Sequence, residues 1–221
     1  KTLIRNFSHT FRRFFTASIL IGRLSIAFTA CFVILTQVDY DYNYNKCFPA
    51  HERIYRVEVN RGGEYDWQFW LARPLCELIG TASPHIQAIS VTSLLSYTND
   101  FEIDDHIYSE PWLTGFGDYL EVFQPTMICG TTASLNEPGQ VLISASMAVF
   151  FGTTEVLGKS IYVDRKSLNQ PLVIGGVYQD MPENSQLGNC IFSSYSPELN
   201  KDSWINWSYT YTFDWTILFI D

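Results

Sequence analysis

The sequence predicts an α+β domain, built of mixed strands and short helices, that follows one N-terminal transmembrane helix. Three observations predict this arrangement. An apolar run of 20 residues ends at Val38, the charges of the chain divide at the same point, and the remaining residues mix strand and helix patterns without a regular repeat. Of the 221 residues, 47% are hydrophobic and 17% are charged, and this composition excludes a disordered or low-complexity chain.

Residues 16–38 are predicted to form the transmembrane helix, because the run Ile19–Val38 has the length of about 20 residues that crosses a hydrocarbon core. Arg23 is the one charged residue in this run, and its side chain can extend to the interface. Residues 1–15 carry arginines and phenylalanines near helical spacing, which predicts an amphipathic helix on the cytoplasmic membrane surface. A signal peptide and a buried core helix fit less well, since the run is long and no A-x-A cleavage site ends it.

The distribution of charge predicts the orientation of this helix. The first 38 residues contain five basic and no acidic residues, whereas the rest of the chain contains nine basic residues and all 23 acidic ones. The positive-inside rule therefore predicts a cytoplasmic N-terminus and an external domain over residues 39–221. The acidic balance of that domain excludes nucleic acid as its partner, because phosphate binding requires a basic face.

Two elements are predicted directly after the transmembrane helix. Apolar and polar residues alternate over Arg53–Asn60, which predicts a strand with residues 55, 57 and 59 on its buried face. An N-cap at Asp66 predicts a helix over residues 66–79, and Pro74 within it indicates a kink or a later start. The predicted buried residues of this helix are Trp67, Trp70, Leu71, Leu75 and Leu78.

The rest of the domain is predicted as short elements separated by turn residues. Val141–Ser144 is predicted as a strand, and Ser144 as the N-cap of a helix over Ala145–Phe151 that Gly152 ends. A short helix and an extended segment are predicted within residues 115–130. Further strands and hairpins are predicted at Ile86–Leu95, Phe101–Tyr108, Lys159–Asp164, Leu172–Gln179, Asn189–Ser194 and Thr212–Ile220. The absence of a regular βαβ order favours the α+β class.

The segment Gly152–Ser160 looks like the phosphate-binding loop G-x-x-x-x-G-K-[ST], but five residues instead of four separate its glycines. A phosphate-binding loop also requires a strand before it and a helix after it, whereas a helix precedes and a strand follows this segment. The sequence therefore predicts a turn, with Gly158 at an unusual φ and Lys159 in solvent.

Other reactive residues form no recognisable constellation. Ser144 and Ser146 lack the G-x-S-x-G pattern of a nucleophile elbow, and the four histidines are scattered without an H-E-x-x-H motif. An acidic cluster near His106 lacks the spacing of a calcium-binding loop and is interpreted as a solvated hairpin turn; it consists of Glu102, Asp104, Asp105 and His106. The sequence predicts no catalytic, cofactor-binding or metal-binding residue.

The five cysteines indicate no metal ribbon or redox motif, because none are in C-x-x-C spacing. Cys31 lies in the apolar run. The other four, Cys47, Cys76, Cys129 and Cys190, could form two disulfides in three alternative pairings. We expect most of them to be free, buried small hydrophobic residues.

Four segments of the sequence form a distinctive series. The first is GRLSIAF in the transmembrane helix, and the second is YDYNYNKCFPAHERIYRVEV after it. The third is GFGDYLEVFQPTMICGTTASLNEPGQVLISASMAVFFGTTEVLGKSIYV, and the fourth is VIGGVYQDMPENSQLG. In this order, they resemble the N-terminal part of MacB/FtsX-type ABC transporter permeases of the kind common in Bacteroides-like bacteria. Arg23 departs from the family, which has an apolar or small residue there. Such permeases continue into further extracytoplasmic domain and three more membrane helices, so we expect the domain over 39–221 to be incomplete.

The resemblance implies a MacB-like periplasmic core domain on a permease subunit in the bacterial inner membrane. It implies that the chain is not an enzyme and holds no cofactor. Its partners would be a cytoplasmic ABC ATPase subunit, a second permease copy and membrane lipid. ATP hydrolysis by the ATPase would drive motion of the periplasmic domain, for export or for activation of a partner. The alternative is a single-span, membrane-anchored binding or sensor domain.

The segment Val38–Phe48 is where displacement would pass from the helix to the domain. A short connection transmits displacement, whereas a Gly/Ser linker behaves as a flexible coil. From the sequence alone, we expect a Gly/Ser insertion after Asn45 to uncouple ATP hydrolysis from the periplasmic output.

Overall fold

The structure is a computed structural model and divides the chain into two units, residues 1–44 and 45–221. It describes residues 2–60, 62, 67–68, 70–92, 98–103, 106–116, 119–151, 155–163, 171–194, 212–214 and 216–220.

The first unit is a single helix, α1 (Thr2–Tyr42). The helix continues through residues 15 and 16, where the sequence predicts a surface helix to give way to the transmembrane helix. Its part from Arg12 to Tyr42 is long and apolar enough to cross a membrane, and none of its most apolar stretch is buried against protein. Four hydroxyls on α1 donate to the carbonyl one turn earlier, which satisfies them without water; they belong to Thr16, Ser18, Thr29 and Thr36.

The described residues of the second unit form three short α-helices and strands of two to eleven residues. The helices are α2 (Arg73–Gly80), α3 (Leu120–Phe123) and α4 (Ala145–Ala148). The first strands are β1 (Ile54–Arg56), β2 (Val59–Asn60), β3 (Trp67–Gln68), β4 (Trp70–Ala72), β5 (Ile86–Thr92), β6 (Thr98–Ile103) and β7 (His106–Phe116). The later strands are β8 (Met127–Gly130), β9 (Gln140–Ser144), β10 (Ser160–Val163), β11 (Leu172–Tyr178), β12 (Ile191–Ser194), β13 (Thr212–Asp214) and β14 (Thr216–Ile220). This mixture confirms the predicted α+β class.

Six strands close into a barrel, in the order β7, β12, β9, β11, β10 and β6. The closure depends on β6, which pairs with β7 in a hairpin and with β10 on its other side. In this second pairing, Tyr162 lies opposite Glu102 and Val163 lies opposite Phe101. Strands β5, β14 and β1 extend the sheet outward from β7, and β1 lies at its end.

The barrel wall separates two apolar cores, because successive side chains of a strand point to opposite faces. On β9, Val141 and Ile143 face one core and Leu142 faces the other. On β12, Ile191 and Phe192 divide in the same way. The inner core also includes Phe101, Ile103, Trp112, Met147, Phe151, Val156, Ile161, Ile174 and Val177. The outer core also includes Phe48, Leu113, Tyr119, Leu120, Val122, Phe123, Leu135, Tyr178, Leu187 and Cys190.

The predicted strand over Arg53–Asn60 is wrong in its continuity and in one buried residue. A 3-10 helix covers His51–Arg53, and the extended region is interrupted between β1 and β2. Ile54 packs against the outer core, whereas Tyr55 is 53% exposed. Val57 packs against a third small cluster with Leu71, Cys76 and Val91. The buried position is even-numbered before the interruption, at Ile54, and odd-numbered after it, at Val57. A single alternation of buried and exposed residues therefore does not describe the whole segment.

The predicted helix over 66–79 begins later, at Arg73, as Pro74 indicated. Pro74 lies in the first turn, where its missing N–H breaks no helical hydrogen bond. The buried stripe is also different from the prediction, because Leu75 and Leu78 are exposed while Cys76 is buried. Of the residues before the helix, 67–68 and 70–72 form β3 and β4 instead, and the predicted N-cap Asp66 lies outside the described residues.

Several predicted elements are confirmed with small shifts at their ends. The hairpin corresponds to β6 and β7, although its turn residues Asp104 and Asp105 lie outside the described residues. Ser144 is the N-cap of α4, and its hydroxyl accepts a hydrogen bond from the N–H of Met147. Gly152, the predicted end of this helix, also lies outside the described residues. The predicted tail strand is divided into β13 and β14.

All five cysteines lie among the described residues, and none of them forms a disulfide bond. The expectation that they are buried is correct for Cys76 and Cys190, whereas Cys129 is half-buried and Cys47 is exposed. The domain therefore depends on its apolar cores instead of on disulfide bonds.

Closure of the barrel predicts that its inner core is sensitive to loss of volume. Ile161 on β10 is fully buried, and Ile161→Ala should lower the free energy of unfolding by about 2–5 kcal/mol. Ile107 on β7 is 75% exposed, and Ile107→Ala should change it by no more than about 0.5 kcal/mol. Urea unfolding of the purified chain in detergent measures both. Equal effects of the two substitutions would contradict a closed inner core at β10.

Candidate functional site

The candidate site lies at the beginning of the second unit, where Asn45 enters the domain. Helix α1 ends at Tyr42, three residues earlier. Asn45 has a φ of 61°, in the left-handed region that Asn adopts more readily than most residues. Its backbone N–H donates to the carbonyl of Asn184 at 2.9 Å. The first residue of the domain is thus already bonded to a distant part of the chain.

The side chain of Asn45 makes two further hydrogen bonds to the same region. Its Nδ2 donates to Oε1 of Gln186 at 3.1 Å, and the backbone N–H of Gln186 donates back to Oδ1 of Asn45 at 2.7 Å. We call these three bonds, from Asn45 to Asn184 and Gln186, the entry clamp. The amide of Asn45 both donates and accepts in the entry clamp, which fixes its orientation as well as its position.

The loop that receives Asn45, residues 180–189, is itself held at both ends. Oδ1 of Asp180 accepts from the backbone N–H of Ser146 at 2.9 Å and from its hydroxyl at 3.0 Å. Oδ1 of Asn189 accepts from the N–H of Met181 at 2.8 Å, which closes the loop on itself. Leu187 anchors the loop in the outer core. The loop is therefore tied to the start of α4, to itself and to the core.

A buried pair of residues connects the two strands that flank this loop. The hydroxyl of Tyr178, at the end of β11, donates to the carbonyl of Cys190 at 2.6 Å and accepts from the N–H of Cys190 at 2.8 Å. Burial raises the pKa of the Cys190 thiol and the pKa of Tyr178 well above their ordinary values. Burial disfavours the charged form of both groups, so both stay protonated and the Tyr178 hydroxyl keeps the proton that it donates.

A cavity of about 280 Å³ opens beside the entry clamp. Two aromatic rings line it, Phe48 and Phe123, with centroids 5.2 Å apart. Arg56 and Glu58 form an ion pair on its wall, in which Nε of Arg56 donates to Oε1 of Glu58 at 2.9 Å. The full lining is Asn45, Phe48, His51, Ile54, Arg56, Glu58, Phe123 and Gln186. Its mixture of aromatic and charged groups suits a small amphipathic group.

Ser144 and Ser146 lie together, but their contacts are those of a helix cap. Their hydroxyls are 3.0 Å apart, Ser144 caps α4, and the hydroxyl of Ser146 donates directly to Asp180. Among the described residues, no group of three or more His, Cys, Asp or Glu side chains could hold a metal ion. The part of the acidic cluster at Asp104 and Asp105 lies outside those residues.

In the segment that resembles a phosphate-binding loop, the described residues, 155–160, form a turn that leads into the barrel. Gly158 has a φ of 79°, and its N–H donates to the carbonyl of Ile174 at 2.9 Å, so this donor does not point toward a ligand. Strand β10 follows directly. Lys159 is half-buried, with Nζ 5.6 Å from the centroid of the Phe151 ring. Lys159 therefore lies only partly in solvent, where the sequence predicted it, because its ammonium group lies over the buried Phe151 ring.

The fold and this site define a class of protein: a barrel-containing α+β domain carried on a helix of membrane-spanning length. The family profile of the MacB-like periplasmic core domain matches residues 18–217 of the chain. The chain therefore belongs to the MacB-like periplasmic core domain family, and it is a membrane-anchored extracytoplasmic domain. The resemblance indicated by the four sequence segments is confirmed. Comparison with curated proteins finds no match.

Three solved structures share the fold. A domain of a protein described as a permease from Porphyromonas gingivalis has 24% identity and a TM-score of 0.62, over 79% of this chain and 77% of that one. The periplasmic region of MacB from Actinobacillus actinomycetemcomitans has 15% identity and a TM-score of 0.51, over 76% and 73%. The extracellular domain of the noncanonic ABC-type transporter YknZ from Gram-positive bacteria has 13% identity and a TM-score of 0.50, over 69% and 74%.

The raised pKa of Cys190 predicts a loss of stability at alkaline pH. Unfolding exposes the thiol, which then ionises above about pH 8.5, whereas the folded domain keeps it protonated. The unfolded state then binds fewer protons, so the free energy of unfolding falls as pH rises, by at most about 1.4 kcal/mol per pH unit from this group. Cys190→Ala should reduce that slope between pH 8 and 10 in urea unfolding. Cys47→Ala is the exposed control, and an unchanged slope in Cys190→Ala would contradict the prediction.

Proposed function

We propose that this chain is the permease subunit of an ABC transporter of the MacB/FtsX type. In this proposal, ATP hydrolysis by a separate cytoplasmic subunit drives motion of the extracytoplasmic domain, for export or for activation of a partner. The observation that carries the proposal is the continuity of a MacB-like periplasmic core domain with an apolar helix in one chain. The likeness to the extracellular domain of an ABC-type transporter supports it.

The geometry of the domain entry supports coupling between the helix and the domain. Only two residues separate the end of α1 from Asn45, and Asn45 is already held by the entry clamp. A connection this short leaves little slack, whereas a flexible linker of n residues spans roughly 5–6 Å × √n and absorbs displacement. Movement of the helix would therefore reach the domain.

The proposal includes the partners and the location of the protein. The cytoplasmic ABC ATPase subunit and a second copy of the permease are its protein partners, and membrane lipid surrounds α1. The protein lies in the bacterial inner membrane with its N-terminus in the cytoplasm and its main domain in the periplasm. The domain itself supplies no catalysis and needs no cofactor, since its role is to move.

A second candidate is a single-span, membrane-anchored binding or sensor domain. One observation favours it: among the described residues, α1 is the one helix of membrane-spanning length. The cavity beside the entry clamp would then be its ligand site. The two candidates differ in their need for an ATPase.

The permease proposal predicts a stable association with an ATPase. Full-length protein, purified in mild detergent from its native membrane, should copurify with an ABC ATPase that mass spectrometry identifies. Reconstitution of the two proteins in lipid should raise ATP hydrolysis several-fold over the ATPase alone. A binding or sensor domain would purify without an ATPase and would leave ATP hydrolysis unchanged.

The charge distribution predicts the orientation of α1. A reporter that is active only outside the cytoplasm, fused after Val59, should be active, because the five basic residues of the first 38 hold the N-terminus inside. The same reporter fused before Thr2 is the matched control and should be inactive. A stable but inactive fusion after Val59 would contradict the orientation.

A further inference from the structure

We propose that displacement of the N-terminal helix enters the domain through the entry clamp, and that the covalent continuation of the chain into β1 is the minor route. Asn45 is thus a positioning residue for coupling. This inference rests on the proposed function, because a passive binding domain has no displacement to transmit.

The entry clamp is stiff because three hydrogen bonds converge on one residue. The N–H of Asn45 donates to Asn184, its Nδ2 donates to Gln186, and its Oδ1 accepts from the N–H of Gln186. All three lengths lie between 2.7 and 3.1 Å, within the range of well-formed hydrogen bonds. The left-handed φ of Asn45 is a second requirement, since most other side chains are strained there.

The loop that receives the entry clamp leads directly to the central strands of the barrel. It follows β11 and precedes β12, and the Tyr178–Cys190 hydrogen bonds connect those two strands at its base. Asp180 ties it to Ser146, which follows β9. These three strands are adjacent in the barrel. A pull on Asn45 therefore acts on β9, β11 and β12 together.

The covalent route enters the domain at its periphery. After Asn45 the chain passes Phe48 and a 3-10 helix, then reaches β1, which has three residues and lies at the end of the sheet. Among the described strands, β1 pairs with β14 alone. Along the hydrogen bonds of the sheet, displacement of β1 would have to cross β14 and β5 before it reached β7. Phe48 and Ile54 also touch the outer core, but by apolar packing, which lacks the directionality of the hydrogen bonds in the entry clamp.

The test uses the full-length protein with its ATPase in lipid, and measures motion directly. A nitroxide on each of two permease copies, attached through Tyr162→Cys at an exposed position of β10, reports their distance by electron spin resonance with and without ATP. The cysteines that are not buried, Cys31, Cys47 and Cys129, are replaced by alanine. A wild-type complex without an ATP-dependent change in distance would contradict the proposed function, and with it the role of the entry clamp.

Two insertions separate the routes. A Gly/Ser segment of about ten residues after Tyr44 lies before the entry clamp, and it should abolish the change in distance. The same segment after Asn45 leaves the entry clamp attached to the helix and slackens only the covalent route. It should retain at least half of the wild-type change, unlike the expectation from the sequence alone. Loss of the change in this second insertion, in a protein that still folds and binds the ATPase, would overturn the inference.

Point variants test the entry clamp without any insertion. Asn45→Gly keeps the left-handed backbone and removes the side-chain bonds, and it should reduce the change in distance at least twofold. Gln124→Gly is the matched control, because Gln124 is exposed and also has a left-handed φ, 46°; it should have no effect. Asn45→Asp keeps the acceptor for the N–H of Gln186 and should restore most of the change. Full coupling in Asn45→Gly would overturn the inference even where the insertion variants fail to fold.

Discussion

The domain depends on a barrel wall that is apolar on both of its faces. Each central strand contributes apolar side chains to the core inside the barrel and to the core outside it. Residues such as Val141, Leu142 and Ile143 therefore form a continuous apolar run. The inner core is enclosed only because β6 bridges β7 and β10. Without that bridge, Phe101 and Ile103 would lose the pairing that holds them over the core.

The outer core connects this architecture to the site. Phe48 and Leu187 both belong to it, and each lies within three residues of a member of the entry clamp. Phe48 fixes the chain just after Asn45, and Leu187 fixes the loop to which Asn45 is hydrogen-bonded. Polar groups within the same core are paired, as the Tyr178 hydroxyl is with both backbone groups of Cys190. A close-packed core has low compressibility and transmits strain.

In the proposed function, this domain would transmit displacement from the membrane helix. The family assignment covers nearly the whole chain, whereas identities of 24% and below to the solved structures establish only the shared fold. The contacts at the domain entry are those of this chain: three hydrogen bonds converge on Asn45 and join it to the loop between β11 and β12.

The local patterns of the sequence determined the elements whose cause is local. An apolar run predicted the helix that becomes α1, and Ser144 predicted the cap of α4. Pro74 indicated a kink or a later start, and α2 starts later. Patterns failed where the packing of neighbouring elements decides burial. Leu75 and Leu78 belong to the predicted apolar stripe of a helix, but both are exposed. Tyr55 and Val57 were expected on one buried face, but the chain is interrupted after β1, and only Val57 packs against a core.

Barrel closure and the entry clamp were decided only by the tertiary structure. Asn45 and Gln186 are 141 positions apart, and nothing in the residues around either one indicates the other. An amide side chain forms equally good hydrogen bonds with water in the unfolded chain. Its partner is therefore set only when the strands pair and bring the loop over residues 180–189 to the place where the chain enters the domain.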